Sequence, residues 1–447
     1  MAQVEARVLK GFRDYLPEAD VPRQAMLRKV VAVFESFGFG PLTTPALEYA
    51  DILTGKYGDE GDQLLYRFAD NGGRDVALRY DLTVPLARVV AQHRSLDMPF
   101  RRYQVAPVWR AEKPGRGRFR EFLQCDVDIV GEASVRADAE CMMVGLEVLQ
   151  SLGVPGYVMR VNNRKILDGL LDRVGVDGRE RRHAVLRVMD KLPKIGREGV
   201  EAELSAEVGL DVEAQALLFE VLGRSVTGSA GLRALTDVVG GTEAGRQGID
   251  ELCALLDLVG AAGHGAHVEV DLSIARGLDY YTGTIYETFV RGREEFGSVM
   301  SGGRYDTLLG MFLRDSIPAV GISLGIDRLV SLLTDLGLVS SRGATADVFV
   351  AVLDDEGYGA MVQAASELRR AGLGAEMSLV AGKLGKQFRS AEKKGYRFVV
   401  LQGADERAAG KLALKDLQTG EQATVSAEEV VLRVRSAQAT GLPPSSD

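Results

Sequence analysis

The sequence is poor in the residues that make covalent and metal staples. Its 447 residues hold three cysteines and four histidines. Cys125, Cys141 and Cys253 lie far apart and form no C-x-x-C, which argues against a disulfide framework, a zinc ribbon and thioredoxin-like redox chemistry. The close histidine pair, His264 and His267, sits in a Gly/Ala-rich stretch whose nearest further ligand candidates are Glu269 and Asp271. An exposed turn is the expectation there, and no protein-held metal is expected anywhere. Long apolar runs are also missing. Nothing approaches the ~20 residues that cross a bilayer, and Met1 to Leu16 is charged throughout without a signal-peptide core. No membrane partner is expected, and the cytoplasm is the expected compartment. Net basic charge is absent too. At −9 the chain is no general nucleic-acid coat, so any polyanion must meet basic residues gathered locally.

What is present has the texture of a soluble protein, 46% hydrophobic and 26% charged, and the length predicts roughly three domains. After Pro22, Met26, Val30, Val33, Phe34 and Phe37 recur at helical spacing until Gly38-Phe-Gly-Pro41 ends the pattern. From about Asp75 to Val130 the sequence reads as strands broken by polar loops, followed by a helix over Ser134 to Leu152. Residues 164–262 are rich in Leu, Val, Glu and Arg at helical spacing and read as a helical insertion. Strands resume at Val268–Leu272 and Thr284–Val290, and a helix from Gly325 to Leu336 closes that part. A Ser/Gly/Thr/Ala linker at 340–346 leads to a unit in which strands 347–353, 375–379 and 398–402 alternate with helices 358–371 and 383–394. A hairpin at Thr419-Gly420 and a helix from Ala427 follow, predicting a small α/β domain.

Three clusters carry chemistry. Between Arg101 and Arg120 there are seven basic residues against one acid, Glu112. Glu112-Lys-Pro-Gly-Arg-Gly117 is built as a turn between strands, and arginine forks suit phosphates; a solvated basic hairpin is the bland alternative. In Glu121–Val130 the odd positions Leu123, Cys125, Val127 and Ile129 are apolar. Gln124, Asp126 and Asp128 therefore share the other face of the strand. An amide and two carboxylates beside arginines suit a small zwitterion or cation held next to a polyphosphate. Ala275-Arg-Gly-Leu-Asp-Tyr-Tyr-Thr-Gly283 brings Arg276 and two tyrosines to a strand end, and tyrosine hydroxyls can read an imidazole edge. Ser301-Gly-Gly-Arg-Tyr-Asp306 is followed by a glycine-punctuated strand that enters a helix holding Asp327 and Arg328. Neither a P-loop nor a G-x-G-x-x-G opening a helix occurs, so any ATP would be held by arginines.

In order and spacing these segments resemble the three motifs of class II aminoacyl-tRNA synthetases. Gly11-Phe-Arg-Asp-Tyr15, Leu78-Arg-Tyr-Asp-Leu-Thr-Val-Pro85, Arg118-Phe-Arg-Glu-Phe-Leu-Gln-Cys-Asp-Val-Asp128, Arg276-Gly-Leu-Asp-Tyr-Tyr281 and Gly302-Gly-Arg-Tyr305 resemble histidyl-tRNA synthetases of the eukaryote-like subgroup. The resemblance extends to Asp190-Lys-Leu-Pro-Lys-Ile-Gly196 and the final domain. It implies an α/β protein: an α+β catalytic domain with an antiparallel sheet of class II type, a helical insertion and a C-terminal α/β anticodon-binding domain. The expected boundaries are 1–163 and 263–339 for the catalytic parts, 164–262 for the insertion, 340–346 for the linker and 347–447 for the last domain with its tail.

The resemblance also implies substrates and roles. ATP with Mg²⁺, L-histidine and tRNA(His) are the expected partners, and a homodimer is expected through the helix after Pro22 and the strand entering Pro45. Arg110 would grip the α-phosphate and Arg276 its other side, as the two catalytic residues. Glu112 would meet adenine, Arg118 the outer phosphates, and Arg328 adenine and the γ-phosphate. Asp81, Thr83 and Gln124 would hold the α-ammonium group; Asp128, Tyr281 and Tyr305 would line the imidazole pocket. Where some relatives carry glutamate, Asp81 and Asp128 are one methylene shorter. Lys113 and Arg116 in the turn would face the acceptor end of the tRNA. At about 100° per residue, Lys383, Lys386, Arg389, Lys393 and Lys394 form one stripe, opposite Leu384, Phe388 and Ala391, as an RNA-facing helix would. No side chain stands out as base for the transfer step. The rivals are a histidine sensor of the ATP phosphoribosyltransferase regulatory type, an RNA-binding or signalling module of the same fold, and a prolyl or threonyl specificity.

Overall fold

The computed structural model describes residues 4–439 apart from 56–57, 116, 190, 225, 240, 275–280 and 340–342. Two compact units result: Met1–Arg13 with Met26–Leu336, and Asp14–Ala25 with Gly337–Asp447. Residues 14–25 thus group with the C-terminal part.

The first unit is built on an eight-stranded sheet. Its order is Gly40–Pro41, Phe100–Trp109, Glu121–Val130, Ala319–Gly325, Met300–Arg304, Thr284–Val290, Tyr157–Asn163 and Val268–Val270. The six inner strands run antiparallel, while the short strand at each edge pairs in parallel. The helix Val135–Ser151 is capped by Ser134, whose hydroxyl accepts from the Arg136 amide at 3.2 Å. It lies on the sheet at Gly145, where a β-carbon would meet Met300, Ile322 and Met159 from three different strands. Only glycine permits that approach. From Gln124 to Val130 both faces of strand Glu121–Val130 are buried, the polar one included.

Between Arg164 and Ala261 the described residues are almost entirely helical. Helix Arg164–Arg173 meets helix Glu243–Ala261 through Gly169, Gly245 and Gly248, each with a neighbouring backbone atom under 3.0 Å from where a β-carbon would sit.

Three local expectations need correction. The first helix begins at Pro17 and runs to Ser36 with Pro22 inside it. The stretch 75–130 is not all strand, because Thr83–Gln92 is a helix with Pro85 in its first turn, where a missing N–H costs nothing. The His264 pair is not an exposed turn. His264 is buried with Nε2 at 3.1 Å from Glu147, and the His267 ring stacks on Tyr157 with centroids 4.3 Å apart.

The second unit has a five-stranded sheet in the order Ala375–Met377, Val348–Val350, Phe398–Leu401, Leu412–Asp416 and Gln422–Val425. Its first three strands are parallel and the rest antiparallel. Helices Tyr358–Arg370 and Ala427–Ala439 bury Met361, Leu368, Val430 and Val434 on one core. Helix Leu384–Lys394 puts Leu384, Phe388 and Ala391 on the other. Gln387 ties that helix to the sheet, since its amide both accepts from Val352 N at 3.0 Å and donates to Val352 O at 2.8 Å. Lys383, Lys386, Arg389 and Lys393 are exposed, while Lys394 pairs with Glu376.

Candidate active site

The register of three neighbouring strands sets the site. Gln104, Asp126 and Ser323 stand side by side in one row, and Arg102, Asp128 and Gly321 in the next. Side chains in such rows lie within contact of one another. Gly321 is required here, because a β-carbon at that position would fall 2.0 Å from Asp128 Oδ1.

Above these rows lies a cavity of about 220 Å³. Asp81, Thr83, Gln124 and Tyr281 line it, together with Arg110, Glu112, Arg118 and Arg328. Eight of the residues expected from sequence thus line one cavity. Asp128 and Tyr305 do not line it. The Tyr305 hydroxyl donates to Asp128, and Arg102 pairs with the same carboxylate at 2.6 Å. Arg276 and Arg116 fall outside the described residues. Lys113 is exposed in the turn, and the Lys383 group belongs to the second unit.

One group of lining residues is polar and acidic. Asp81 is buried and accepts the amides of Thr83 and Val84 at 3.2 and 3.0 Å, so it caps the helix Thr83–Gln92. Gln124 donates to the Ser323 hydroxyl at 2.6 Å. Burial raises the Asp128 carboxyl above its ordinary range, against the pull of Arg102 and the Tyr305 hydroxyl. It also raises Tyr281, with the charges of Asp128, Asp81 and Asp126 adding to the effect. Tyr281 therefore keeps its proton and can both donate and accept.

A second group is mainly basic. Arg110 is fixed by its Nε bond to Tyr80 O at 3.1 Å and stacks 4.3 Å from the Tyr80 ring and 5.1 Å from that of Phe122. Arg118 and Glu112 pair at 3.3 Å. Arg328 donates to Ser298 O, and burial lowers its pKa, helped by repulsion from Arg118 and Arg110. Three guanidinium groups lining one cavity suit a polyphosphate.

The basic cluster read from sequence is smaller in space. Arg101 is bound by Glu140 at 2.6 Å, Arg102 is buried against Asp128, and Arg120 donates to Glu112 O. The first two sit at the far end of strand Phe100–Trp109 from the turn that carries Arg118, on opposite faces of the sheet. Two contributors stood in the quoted motifs without a role read for them. Asp327 accepts the Leu123 amide at 2.8 Å and lies 3.5 Å from Arg13, whose guanidinium covers Phe119 at 3.7 Å. These contacts join segments hundreds of residues apart and depend on the sheet being closed.

Comparison with known proteins identifies the family. The family model of histidyl-tRNA synthetase matches residues 11–329, and that of the anticodon binding domain matches 347–437. The histidine--tRNA ligase of Rhodopirellula baltica is 43% identical over 425 residues, covering 95% of this chain and 96% of that protein. That of Aeropyrum pernix is 42% identical over 438 residues, covering 97% and 99%. The crystal structure of histidyl-tRNA synthetase from Nostoc sp. PCC 7120 superposes with a TM-score of 0.88 at 34% identity, covering 97% of this chain and 100% of that one. An ATP phosphoribosyltransferase regulatory subunit/histidyl-tRNA synthetase from Bacillus halodurans, at 24% identity and a TM-score of 0.72 over 88% of this chain and 98% of that one, shares the fold alone. With one family model spanning most of the chain and relatives above 40% identity end to end, the chain belongs to the histidyl-tRNA synthetase family.

Proposed function

We propose that the protein activates L-histidine with ATP and transfers it to tRNA(His). The observation that carries this reading is one cavity lined both by Asp81 and Gln124 and by Arg110, Arg118 and Arg328. An amino acid has an ammonium group for the first and a triphosphate has anions for the second. Between them a histidine carboxylate oxygen attacks the α-phosphorus, the bond to the β-phosphate oxygen breaks, and pyrophosphate leaves. A ribose hydroxyl of the tRNA then attacks the histidyl carbonyl and AMP departs.

Arg110 holds the α-phosphate, with Arg276 opposite it as the second catalytic arginine. Glu112 and Arg328 take adenine, and Arg118 and Arg328 the outer phosphates. Charge placed where the five-coordinate phosphorus develops it lowers the barrier. Mg²⁺ arrives with ATP as part of that substrate. Asp81, Thr83 and Gln124 take the ammonium group, while Tyr281, Tyr305 and Asp128 read the imidazole. An apolar competitor would leave those buried polar groups unpaired, which is the basis of rejection. Lys113 and Arg116 face the acceptor end, and Lys383, Lys386, Arg389 and Lys393 face the anticodon arm.

A second copy of the chain covers the exposed face of the small sheet formed by Leu47–Tyr49, Asp75–Leu78 and Arg67–Ala69. Leu47, Tyr49 and Phe68 are 44%, 56% and 46% exposed there, a cluster that a homodimer would bury. No helix among the described residues is long and apolar enough to cross a membrane, and the proposed substrates place the protein in the cytoplasm. A histidine sensor would have no use for an anticodon-binding domain or for three arginines at the cavity. The test is charging of tRNA(His) with labelled histidine. Product stable as the ester supports the reading, and binding of histidine with no charging opposes it.

A further inference from the structure

Tyr281 and Tyr305, assigned above to the imidazole, come from two separate segments. Each is followed by a polar residue to which the reaction assigns nothing, Thr282 and Asp306. These two bond reciprocally. The Thr282 hydroxyl donates to Asp306 Oδ2 at 3.0 Å and accepts from the Asp306 amide at 3.1 Å. The Thr282 amide donates to Arg304 O at 2.8 Å. Thr282 therefore grips the chain on both sides of Tyr305. The other carboxylate oxygen, Asp306 Oδ1, accepts from Arg304 Nη1 at 3.2 Å and from the Ala319 amide at 3.3 Å, while the Tyr305 amide donates to Ala319 O at 2.7 Å.

This knot is anchored to a rigid element. Arg304 is buried, with Nε 3.2 and 3.1 Å from the two carboxylate oxygens of Asp138. Its Nη1 donates to Glu132 O and its Nη2 to Ser134 O, each at 3.1 Å. Asp138 stands in the first turn of helix Val135–Ser151. The Tyr281 ring in turn lies against Gly303, where a β-carbon would come within 3.0 and 3.1 Å of two ring carbons. Thr282, Arg304 and Asp306 do not line the cavity. They bound it only through the two tyrosines. An imidazole carries its nitrogens at a fixed separation, and groups that read such a ligand must be held within about 0.5 Å by the bonds behind them.

We propose that Thr282 and Asp306 are positioning residues for the amino acid: their reciprocal hydrogen bonds, anchored through Arg304, set the spacing of Tyr281 and Tyr305 and so the fit to an imidazole. The proposal rests on the imidazole pocket proposed above. Cutting the knot lets the two tyrosine segments part. The arginines at the cavity are held by other bonds, so the cost falls on histidine and not on ATP.

The test is histidine-dependent ATP–pyrophosphate exchange by Thr282→Val, Thr282→Ser and Tyr305→Phe. Valine keeps the shape and removes both hydroxyl bonds, and serine restores them. Thr282→Val should raise the KM for histidine on the order of 10-fold with the KM for ATP unchanged, and Thr282→Ser should bring the histidine KM back to that of the wild type. A merely structural role predicts a lower melting temperature with both KM values unchanged, or both raised together. Either result in folded Thr282→Val would overturn the proposal. If Thr282→Val does not fold, Thr282→Ala, which leaves room for water at the Asp306 amide, decides by the same split. Tyr305→Phe separates the two levels. A histidine KM unchanged in Tyr305→Phe would mean that the imidazole pocket itself is misassigned, and the proposal would go with it. A KM raised in Tyr305→Phe but not in Thr282→Val would overturn the positioning role alone.

Discussion

At the scale of single residues, the polar face of Glu121–Val130 was readable because strand periodicity separates Gln124, Asp126 and Asp128 from the apolar Cys125 and Val127. What those residues bind was not readable from that segment. Arg102 looked like part of the basic cluster around Arg110 until the register set it opposite Asp128. Asp128 is now held from three sides, by Arg102, by Tyr305 and by the absent side chain at Gly321. Gly321→Ala should therefore be costly. Its new methyl meets a carboxylate that has nowhere to go, and overpacking of this kind costs ~1–3 kcal/mol. Thermal melting should show the loss, and the KM for histidine should rise on the order of 10-fold while that for ATP changes little. A variant with ordinary melting and an ordinary histidine KM would mean that Asp128 does not shape the amino-acid pocket.

At the scale of elements, the strongly periodic pieces could be read and the short ones could not. Thr284–Val290 and the helix beginning at Tyr358 start where the pattern says, since long runs of one period leave few alternatives. The helix Thr83–Gln92 was lost among strands because its ten residues offer few turns of pattern. The Asp81 cap with Pro85 in the first turn was the available signal. The apolar back of Leu384–Lys394 fixes which face remains outside. Gln387 pins that helix to the sheet from within, so its basic side can be altered without disturbing the fold. A double change, Lys386→Glu with Arg389→Glu, should raise the KM for tRNA at least several-fold, more at low salt than at high. Histidine-dependent pyrophosphate exchange should stay at the wild-type rate. An equal loss of both activities would place this helix outside tRNA binding.

At the scale of the whole molecule, the division of the sequence into a split β-rich part, helical insertion and small α/β domain came from changes of texture. The grouping of residues 14–25 with the C-terminal unit carried no such mark, because it depends on contacts between segments over three hundred positions apart. The proposed homodimer came only from the family resemblance. The face proposed for it is the apolar one of Leu47, Tyr49 and Phe68. Replacing Tyr49 by Glu should shift the sedimentation mass from dimer toward monomer, and a wild type that sediments as a monomer at micromolar concentration would contradict the assignment of that face.

The central claim is that one cavity holds an ammonium group at Asp81 and Gln124 and a triphosphate at Arg110, Arg118 and Arg328, close enough for carboxylate attack on phosphorus. ATP–pyrophosphate exchange by the purified protein, run with each amino acid in turn, tests it most directly. The account predicts exchange with histidine, none with proline or threonine, and a fall of ~10²-fold or more for Arg110→Ala. Exchange driven by another amino acid, or its absence while histidine still binds, would contradict it.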